Sequence, residues 1–288
     1  MSIVSTETDN GTAVSTERAV GSDRTRRMGR RVLERINPAL RLQQLLLFGA
    51  LLLIWEAVVR VGWLNPFWSS QPTRIAGRLW ELVGTGAVIP HLWATLSATF
   101  MGFAIGLVSG VIAGALLGYF RRLADLFEPL VMGLYSLPRV ALAPLLILYF
   151  GIGLSSKVAL AVTLAFFLVL LNTQAGVRGA DINLKNAAKT MGASEFFIVR
   201  RVVMPAAIPW IITGAQNALI FSLTAVVVGE MLVSTVGLGH LVTRASATYD
   251  TTSVFALLAI MGFVAVVLNN VLLIIERRAQ RYSPGARR

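Results

Sequence analysis

Side chains that could do covalent or metal chemistry are few and scattered along this 288-residue chain. It has no cysteine, and its two histidines, His91 and His240, are too few and too far apart for a histidine metal cluster. Asp125 and Glu128 are close in sequence, but their short polar loop is typical of a solvated turn. No phosphate-binding loop, G-x-S-x-G elbow or H-E-x-x-H motif occurs. The sequence therefore predicts no catalytic residue, no metal site and no ATP hydrolysis by this chain itself.

Other polar side chains stand inside apolar runs, where desolvation is costly and a functional role is the default expectation. Arg139 lies between Pro138 and Pro144, which interrupt a helix and free backbone carbonyls. A cation there must face protein or water, so Arg139 is a candidate functional residue. Pairing with a structural carboxylate, or extension of the side chain to the interface, is the open alternative.

Further candidates for lining a polar cavity are Ser136, Asn172, Asn217, Thr224 and Glu230. Asn217, Thr224 and Glu230 are seven and six residues apart, which predicts that they share roughly one helical face. Hydrogen bonding between helices is the alternative for Asn172, and an ion pair at the membrane interface is the alternative for Glu230.

Six apolar runs carry these residues, each close to the ~20 residues that a membrane-spanning helix needs. Composition agrees, because 56% of the residues are hydrophobic and 14% are charged, against about 25% charged in soluble domains. The predicted fold class is an all-α polytopic membrane protein, with spans at residues 42–63, 97–120, 129–150, 157–177, 206–232 and 253–275. Residues 64–96 are too polar to span, and an amphipathic helix is predicted there at about Arg74–Leu82.

Lysine and arginine residues set the predicted orientation in the bilayer. The net charge of +12 lies beside the apolar runs rather than on a polar domain, which argues against nucleic-acid binding. Because most basic residues fall in the N-terminal region, in two loops and in the C-terminal tail, the positive-inside rule predicts both termini in the cytoplasm. The predicted parts are a disordered basic tail (1–41), a transmembrane domain (42–280) and a short cytoplasmic tail (281–288).

The second span carries a glycine at every fourth position: Gly102, Gly106, Gly110, Gly114 and Gly118. Small residues in this register let two helix backbones approach closely in lipid. The pattern indicates packing rather than chemistry. It leaves open whether the partner helix belongs to the same chain or to a second copy.

The most polar interval between the spans is Asp181–Pro205, predicted to form two short cytoplasmic helices. Asp181 and Ser194 are suited to cap the two helices, and Gly192 to end the first in the left-handed conformation. Pro205 is predicted to end the second. Four residues at helical spacing are predicted to share a small apolar face suited to a groove on another protein: Leu184, Ala187, Ala188 and Met191.

This interval resembles the cytoplasmic "EAA" loop of permease subunits in ATP-binding-cassette (ABC) importers, the binding-protein-dependent inner-membrane component family. That pattern is Glu-Ala-Ala, three residues, Gly, nine residues, then Ile-x-Leu-Pro. Here Asn186-Ala187-Ala188 precedes Gly192 by three residues, and nine residues separate Gly192 from Val202-Val203-Met204-Pro205. Asn186 departs from the family's glutamate and removes a carboxylate that could pair with a basic residue of the partner. The resemblance implies a set of ATPase-coupling residues: Asp181, Asn186, Ala187, Ala188, Gly192 and Pro205.

The third span is similar to the nitrate/sulfonate/taurine branch of that family, in which a proline, a basic residue, a second proline and Phe-Gly-Ile-Gly recur. Here they are Pro138, Arg139, Pro144 and residues 150–153. The resemblance implies a small, anionic solute and a homodimer in the bacterial inner membrane. It makes Arg139 and the other polar candidates within the spans candidates for lining the translocation pathway. It also implies two ABC ATP-binding subunits that bind ATP and Mg²⁺, and an extracytoplasmic substrate-binding protein, with no cofactor in this chain. The alternative is a stand-alone secondary transporter or channel, which would be expected to show an internal repeat.

Overall fold

The computed structural model describes residues 38–280, and every regular element in that part of the chain is helical. The two predicted terminal tails lie almost wholly outside the described residues. The described part of the chain divides between residues 63 and 64 into two compact units. The helices are α1 (Pro38–Arg60), α2 (Pro66–Ser69), α3 (Pro72–Gly84), α4 (Ile89–Tyr119), α5 (Arg121–Ser136), α6 (Ala143–Phe150), α7 (Leu154–Arg178), α8 (Ile182–Thr190), α9 (Glu195–Ile198), α10 (Met204–Val233), α11 (Leu238–Ala247) and α12 (Thr251–Gln280).

Six segments of the described chain are apolar enough to cross a membrane, as predicted, but one of them is bent. Five are continuous helices: Leu42–Arg60, Ile89–Tyr119, Leu154–Arg178, Glu195–Val233 and Thr251–Ile274. The sixth consists of α5 and the segment Arg139–Phe150, which meet at an angle of 82°. Pro138 causes the break, because it lacks an N–H donor and forces the preceding Leu137 into an extended conformation (φ −66°, ψ 141°).

The second span begins at Ile89, earlier than the predicted start at residue 97. Its first three turns contain polar residues, and two threonine hydroxyls there bond back to carbonyls of the same helix. Thr95 Oγ1 donates to His91 O at 3.0 Å, and Thr99 Oγ1 donates to Thr95 O at 2.7 Å. These internal bonds allow polar residues to continue an apolar helix. The predicted amphipathic helix is confirmed as α3, whose Leu79 and Leu82 pack against a core formed by α11 and α12.

The glycine ladder of α4 lies directly against α7 of the same chain. A Cβ atom built on each glycine would lie between 2.4 and 2.8 Å from the nearest α7 atom, closer than real Cβ contacts allow. The nearest α7 atoms are alanine Cβ atoms, backbone oxygens and one valine Cβ, from these residues: Ala161, Ala165, Phe166, Leu170 and Val177. The question that the sequence left open is thus answered, since the close helix contact lies within one subunit.

Small residues also bring α10 against the other side of α7. A Cβ on Gly214 would lie 2.9 Å from Asn172 Cβ, and one on Gly176 would lie 2.7 Å from Trp210 Cβ. Ala165, Val169 and Ala218 form a buried apolar cluster between these helices. Helices α4, α7 and α10 therefore form the packed centre of the second unit.

The second helix of the Asp181–Pro205 interval runs directly into the fifth span. After α9, residues Val199–Val203 form a π-helical turn, in which the Met204 amide donates to Val199 O. Pro205 then stands in the first turn of α10. The prediction that Pro205 ends this helix is wrong. Pro205 lies in the first turn of α10, where its missing N–H costs little, and the preceding π turn keeps the chain helical. The helix therefore continues through Pro205.

Candidate functional site

The turn chemistry predicted for the Asp181–Pro205 interval is confirmed. Asp181 Oδ1 accepts from the Asn183 amide at 2.8 Å, and Ser194 Oγ accepts from the Phe197 amide at 3.3 Å. Gly192 has φ +78°, the left-handed conformation. The conformation of the α8–α9 turn therefore follows from residues within the turn itself.

Contacts on the inner side of α8 attach it to the helix bundle. Ala188 is buried among Val177, Ile198 and Ala207. The Glu195 carboxylate accepts from the Tyr119 hydroxyl at the end of α4 and pairs with Lys189 Nζ at 2.7 Å. Helix α8 is thus mounted on the ends of α4, α7 and α10.

The outer side of the same interval is apolar and exposed. The prediction of one face is wrong for Ala188, because this residue points into the chain while Leu184, Ala187 and Met191 point outward. Helical spacing gives the angle between residues but does not decide which side of the helix meets the bundle. We call the exposed apolar residues of this interval the loop surface: Ile182, Leu184, Ala187, Met191, Phe196 and Phe197.

Polar groups surround the loop surface. Asn186 is exposed and lines a groove of about 620 Å³ together with Lys185, Lys189 and Phe196. A second groove nearby has basic and acidic residues on its walls, and there Arg178 pairs with Glu128 of α5 at 3.0 Å. An exposed apolar surface with a basic rim is typical of a protein contact site.

Arg139 lies at the break between α5 and α6, against aromatic rings. Its guanidinium carbon is 4.6 Å from the centre of the Tyr135 ring and 5.6 Å from that of Phe167. Its Nη1 atom is buried and has no hydrogen-bond partner among residues 38–280. Ser136, the other candidate at the break, is exposed and bonds back to Met132 O. Cation–π contacts therefore hold Arg139, while part of its hydrogen-bonding capacity remains unused.

Two of the remaining pathway candidates lie on one exposed face of α10. Asn217 and Thr224 are exposed with Ile220 and Phe221 between them, as their seven-residue spacing predicts. Asn172 of α7 is half-buried, and its Nδ2 bonds to Leu168 O at 2.8 Å.

Glu230 does not join this face, so that part of the predicted stripe is wrong. A six-residue step rotates a helix by about 600°, which places Glu230 roughly 120° away from Thr224. The side chain points into the protein and is 1% exposed.

A buried polar cluster surrounds Glu230, at the end of α10 opposite to the loop surface. The Glu230 carboxylate accepts from Thr95 Oγ1 at 2.9 and 3.0 Å and from the Gly239 amide at 3.0 Å. Lys157 Nζ lies 3.7 Å from the carboxylate and donates to Val236 O at 3.2 Å. The charge is therefore compensated by a cation and by hydrogen bonds from two other helices, as a buried carboxylate requires.

The segment Gly237–Gly239 completes this Glu230 cluster. The Gly237 amide donates to His91 Nδ1 at 3.0 Å, and the Leu238 amide donates to Thr95 Oγ1 at 2.9 Å. Sequence reasoning missed the role of His91 and Thr95. The available signal was a carboxylate followed by Gly-x-Gly at the start of a helix, which favours amide–carboxylate contact.

Comparisons with known proteins agree with this architecture. A family model described as "Binding-protein-dependent transport system inner membrane component" matches residues 106–281. The chain belongs to this family. The expected family resemblance is thus confirmed, and the protein is a permease component of an ABC importer, a system whose other parts are ATP-binding subunits and a substrate-binding protein.

Curated relatives resemble this permease over most of their length. A riboflavin transport system permease protein of Chloroflexus aurantiacus is 34% identical over 232 residues, covering 81% of this chain and 87% of the relative. A formylaminopyrimidine transport permease of Halalkalibacterium halodurans is 32% identical over 240 residues, covering 81% and 95%. A putative aliphatic sulfonates transport permease of Bacillus subtilis is 29% identical over 238 residues, covering 83% and 86%.

Solved structures share the fold of the permease. An inward-facing structure of the MetNI methionine ABC transporter superposes with a TM-score of 0.61 at 22% identity, over 67% of this chain and 95% of that chain. An amino acid ABC transporter solved with histidines gives a TM-score of 0.57 at 21% identity, over 69% and 97%. At this identity the likeness supports the all-α membrane fold alone.

Proposed function

We propose that this permease forms the translocation pathway of a bacterial inner-membrane importer, as a pair of identical copies, for a small organic solute that carries an anionic group. Two ATP-binding subunits dock on the Asp181–Pro205 interval, and a substrate-binding protein delivers the solute on the opposite side. The observation that carries the proposal is the loop surface, which is exposed and apolar while its helix is fixed to three spans.

Docking at the loop surface follows from the two sides of α8. Ala188 and the Glu195 contacts fix the helix to the bundle, so a force applied to α8 reaches α4 and α10. Met191, on the exposed side, has 81% of its surface accessible. An apolar residue this exposed, on a helix held from behind, is suited to a partner's groove. Asn186 supplies a neutral hydrogen-bonding group where the family's glutamate would supply a charge.

The proposed orientation places both termini and the loop surface in the cytoplasm. Arg121, Arg178 and Lys185 cluster at the loop-surface end of the bundle. By the positive-inside rule, that end is cytoplasmic. The Glu230 cluster, at the other end of α10, then faces the outside.

The broken span supports a pathway between two copies. Helix α6 has 8 residues, a length of about 12 Å, whereas the hydrocarbon core is about 30 Å thick. Leu137 and Pro138, at the non-helical break, are exposed in a single chain, and non-helical backbone at membrane depth is tolerated only where protein or water covers it. A second copy and a water-filled path would cover both this break and the exposed polar face of α10.

Arg139 supports an anionic group on the solute. Its buried Nη1 has no hydrogen-bond acceptor among residues 38–280, which is costly for a charged donor in this conformation. The sulfonate permease among the relatives is named for an anionic substrate class. A second candidate is a planar ring solute, because the rings of Tyr135 and Phe167 flank Arg139 and two relatives are named for riboflavin and formylaminopyrimidine transport.

Docking is tested by co-purification of the ATP-binding subunits with single variants of the permease. Met191→Asp places a charge on the loop surface, and Thr190→Asp places the same charge on the neighbouring exposed residue as a matched control. We expect Met191→Asp to lose the ATP-binding subunits and Thr190→Asp to retain them, with both proteins accumulating in membranes. Equal recovery of ATPase with the two variants would refute docking at this surface.

The solute class is tested by uptake into proteoliposomes that contain the whole importer and its binding protein. Arg139→Gln should lower uptake of an aliphatic sulfonate about 10-fold or more, the usual effect of losing a hydrogen bond to a charged group. Arg139→Lys, which keeps the charge, is the control and should retain more uptake. Unchanged uptake in Arg139→Gln excludes contact with the anion, and selective uptake of riboflavin over the sulfonate would favour the planar ring solute.

A further inference from the structure

The N-terminal end of α11, from the preceding Gly237 onward, donates successive backbone amides to side chains of other helices. The amides of Gly237, Leu238 and Gly239 reach His91, Thr95 and Glu230, respectively. We propose that these bonds form a latch that holds α11 closed over the outer end of the bundle and opens in each transport cycle. Glu230 and His91 are its positioning residues. The latch rests on the geometry of these bonds. Its position at the outer face rests on the proposed orientation of the permease.

The latch adds polar bonds between elements that also share an apolar cluster. Apolar residues of α11 pack with those of α3 and α12 and with Leu92 of α4, in a cluster that includes Leu238, Val242, Ala245, Leu257 and Ile260. The polar bonds of the latch run to α4, through His91 and Thr95, and to α10, through Glu230. Breaking these bonds would free α11 to move off α4 and α10, which opens the apolar cluster that contains Ala245.

Close approach at the latch depends on glycine. Gly237 has φ +129°, and a Cβ there would lie 2.0 Å from the Glu230 carboxyl carbon. A Cβ on Gly239 would lie 2.3 Å from Val227 O. The carboxylate thus sits against the first amides of α11, where the positive end of the helix dipole favours an anion. Lys157 of α7 adds a cation at 3.7 Å.

His91 makes the latch sensitive to acid. Its Nδ1 accepts the Gly237 amide, and an imidazole protonated on both nitrogens cannot accept a hydrogen bond. The ionisable groups around it are His240, which is stacked on it at 6.2 Å, and Arg244 from α11, with Glu230 from α10 and Lys157 from α7 beyond. Protonation would remove one amide contact and place a second positive charge beside Arg244. The latch should therefore open more readily as the outside pH falls and His91 takes up a proton.

The experiment measures opening as labelling of a buried cysteine in the whole importer, reconstituted in proteoliposomes. The chain has no native cysteine, so Ala245→Cys, at a position 9% exposed in the apolar cluster, is a unique reporter in the permease. Ser246→Cys, the exposed neighbour, is the matched control for thiol reactivity. A membrane-impermeant maleimide is applied to intact and to permeabilised vesicles. Labelling of Ala245→Cys is divided by that of Ser246→Cys at each pH.

The latch predicts two changes in this ratio. Glu230→Gln should raise it about 10-fold at pH 7.5, because a charged acceptor for buried donors is lost. In the otherwise unchanged protein the ratio should rise several-fold when the pH is lowered from 7.5 to 5.5. His91→Gln should abolish that rise, because the glutamine Oε1 accepts the Gly237 amide at any pH.

Each result decides a separate claim. A ratio that is the same at both pH values, with and without His91, would overturn the latch even if Glu230→Gln fails to assemble. Failure of the impermeant maleimide to label Ser246→Cys in intact spheroplasts, where it reaches only the outer face, would instead overturn the proposed orientation.

Discussion

Replacing Gly102 with alanine tests the central helix pair of the permease. The added Cβ would lie 2.4 Å from Ala161 Cβ and 3.1 Å from Val158 O. Carbon atoms in contact lie about 3.5–4.0 Å apart, so α4 and α7 would have to separate locally by more than about 1 Å. The neighbouring glycines would then lose contact as well.

The expected cost follows from two opposing effects. Overpacking a core typically costs about 1–3 kcal/mol, and the change from glycine to alanine returns up to about 1 kcal/mol of helix propensity. Because both helix backbones are stiff at this contact, we expect Gly102→Ala to destabilise the permease by about 1–2 kcal/mol. For a domain of this size, that corresponds to a fall in Tm of roughly 2–8 °C.

The assay is thermal unfolding of the detergent-solubilised permease, followed by its tryptophan fluorescence. Gly133→Ala in α5, where a Cβ meets nothing within 4 Å, is the matched control and should leave Tm unchanged or raise it. The double variant Gly102→Ala with Ala161→Gly moves the methyl group to the other helix and should recover most of the loss. If the double variant is as unstable as the sum of the two single variants, the direct contact inferred between these residues is wrong.

Three further predictions concern turns and ends of helices. Gly192→Ala should lower the stability of the permease by about 1 kcal/mol through the φ of +78° alone, since nothing lies within 4 Å of a Cβ there. It should reduce the recovery of the ATP-binding subunits less than Met191→Asp does. Asp181→Ala should remove the α8 cap at a cost of about 1 kcal/mol, seen as faster proteolysis of the loop, whereas Asp181→Asn should not. Partial burial acts to raise the pKa of the Asp250 carboxyl, but hydrogen bonds from Ser253 and the nearby Arg78 outweigh it, so the pKa lies below its usual value. The stabilisation is therefore present above the unfolded-state pKa and lost as pH falls through the folded-state value, and Asp250→Asn should flatten the acid dependence of Tm below about pH 4.

Local chemistry explains what the sequence predicted well. The caps at Asp181 and Ser194 and the left-handed Gly192 depend on residues within three positions of each other, so their structure follows from the residue types. The number of spanning segments follows from the apolar runs along the sequence. The break at Pro138 was predictable as an interruption, although the angle of 82° is set by packing.

Contacts between distant residues explain what the sequence did not predict. Thr95 and Glu230 are separated by 135 positions, and no periodicity in either helix indicates that they meet. Ala188 shows the same limit at short range, because the helical period fixes its angle to Ala187 but the position of the bundle decides which of the two is buried. At Pro205 a local stop signal was overridden by the π turn that precedes it.

The continuity of the fifth span has a mechanical consequence. Residues Glu195–Val233 form one segment of 39 residues, about 58 Å long at the rise of an α-helix. Near its two ends stand Glu195, which touches the loop helix, and Glu230, which holds the turn before α11. A rod of that length, tilted by about 5° at one end, displaces the other end by about 5 Å, nearly one helical pitch. A rotation of this size need not unpack any single contact at one membrane face. At the other face it nevertheless moves the helix end by more than the length of a hydrogen bond.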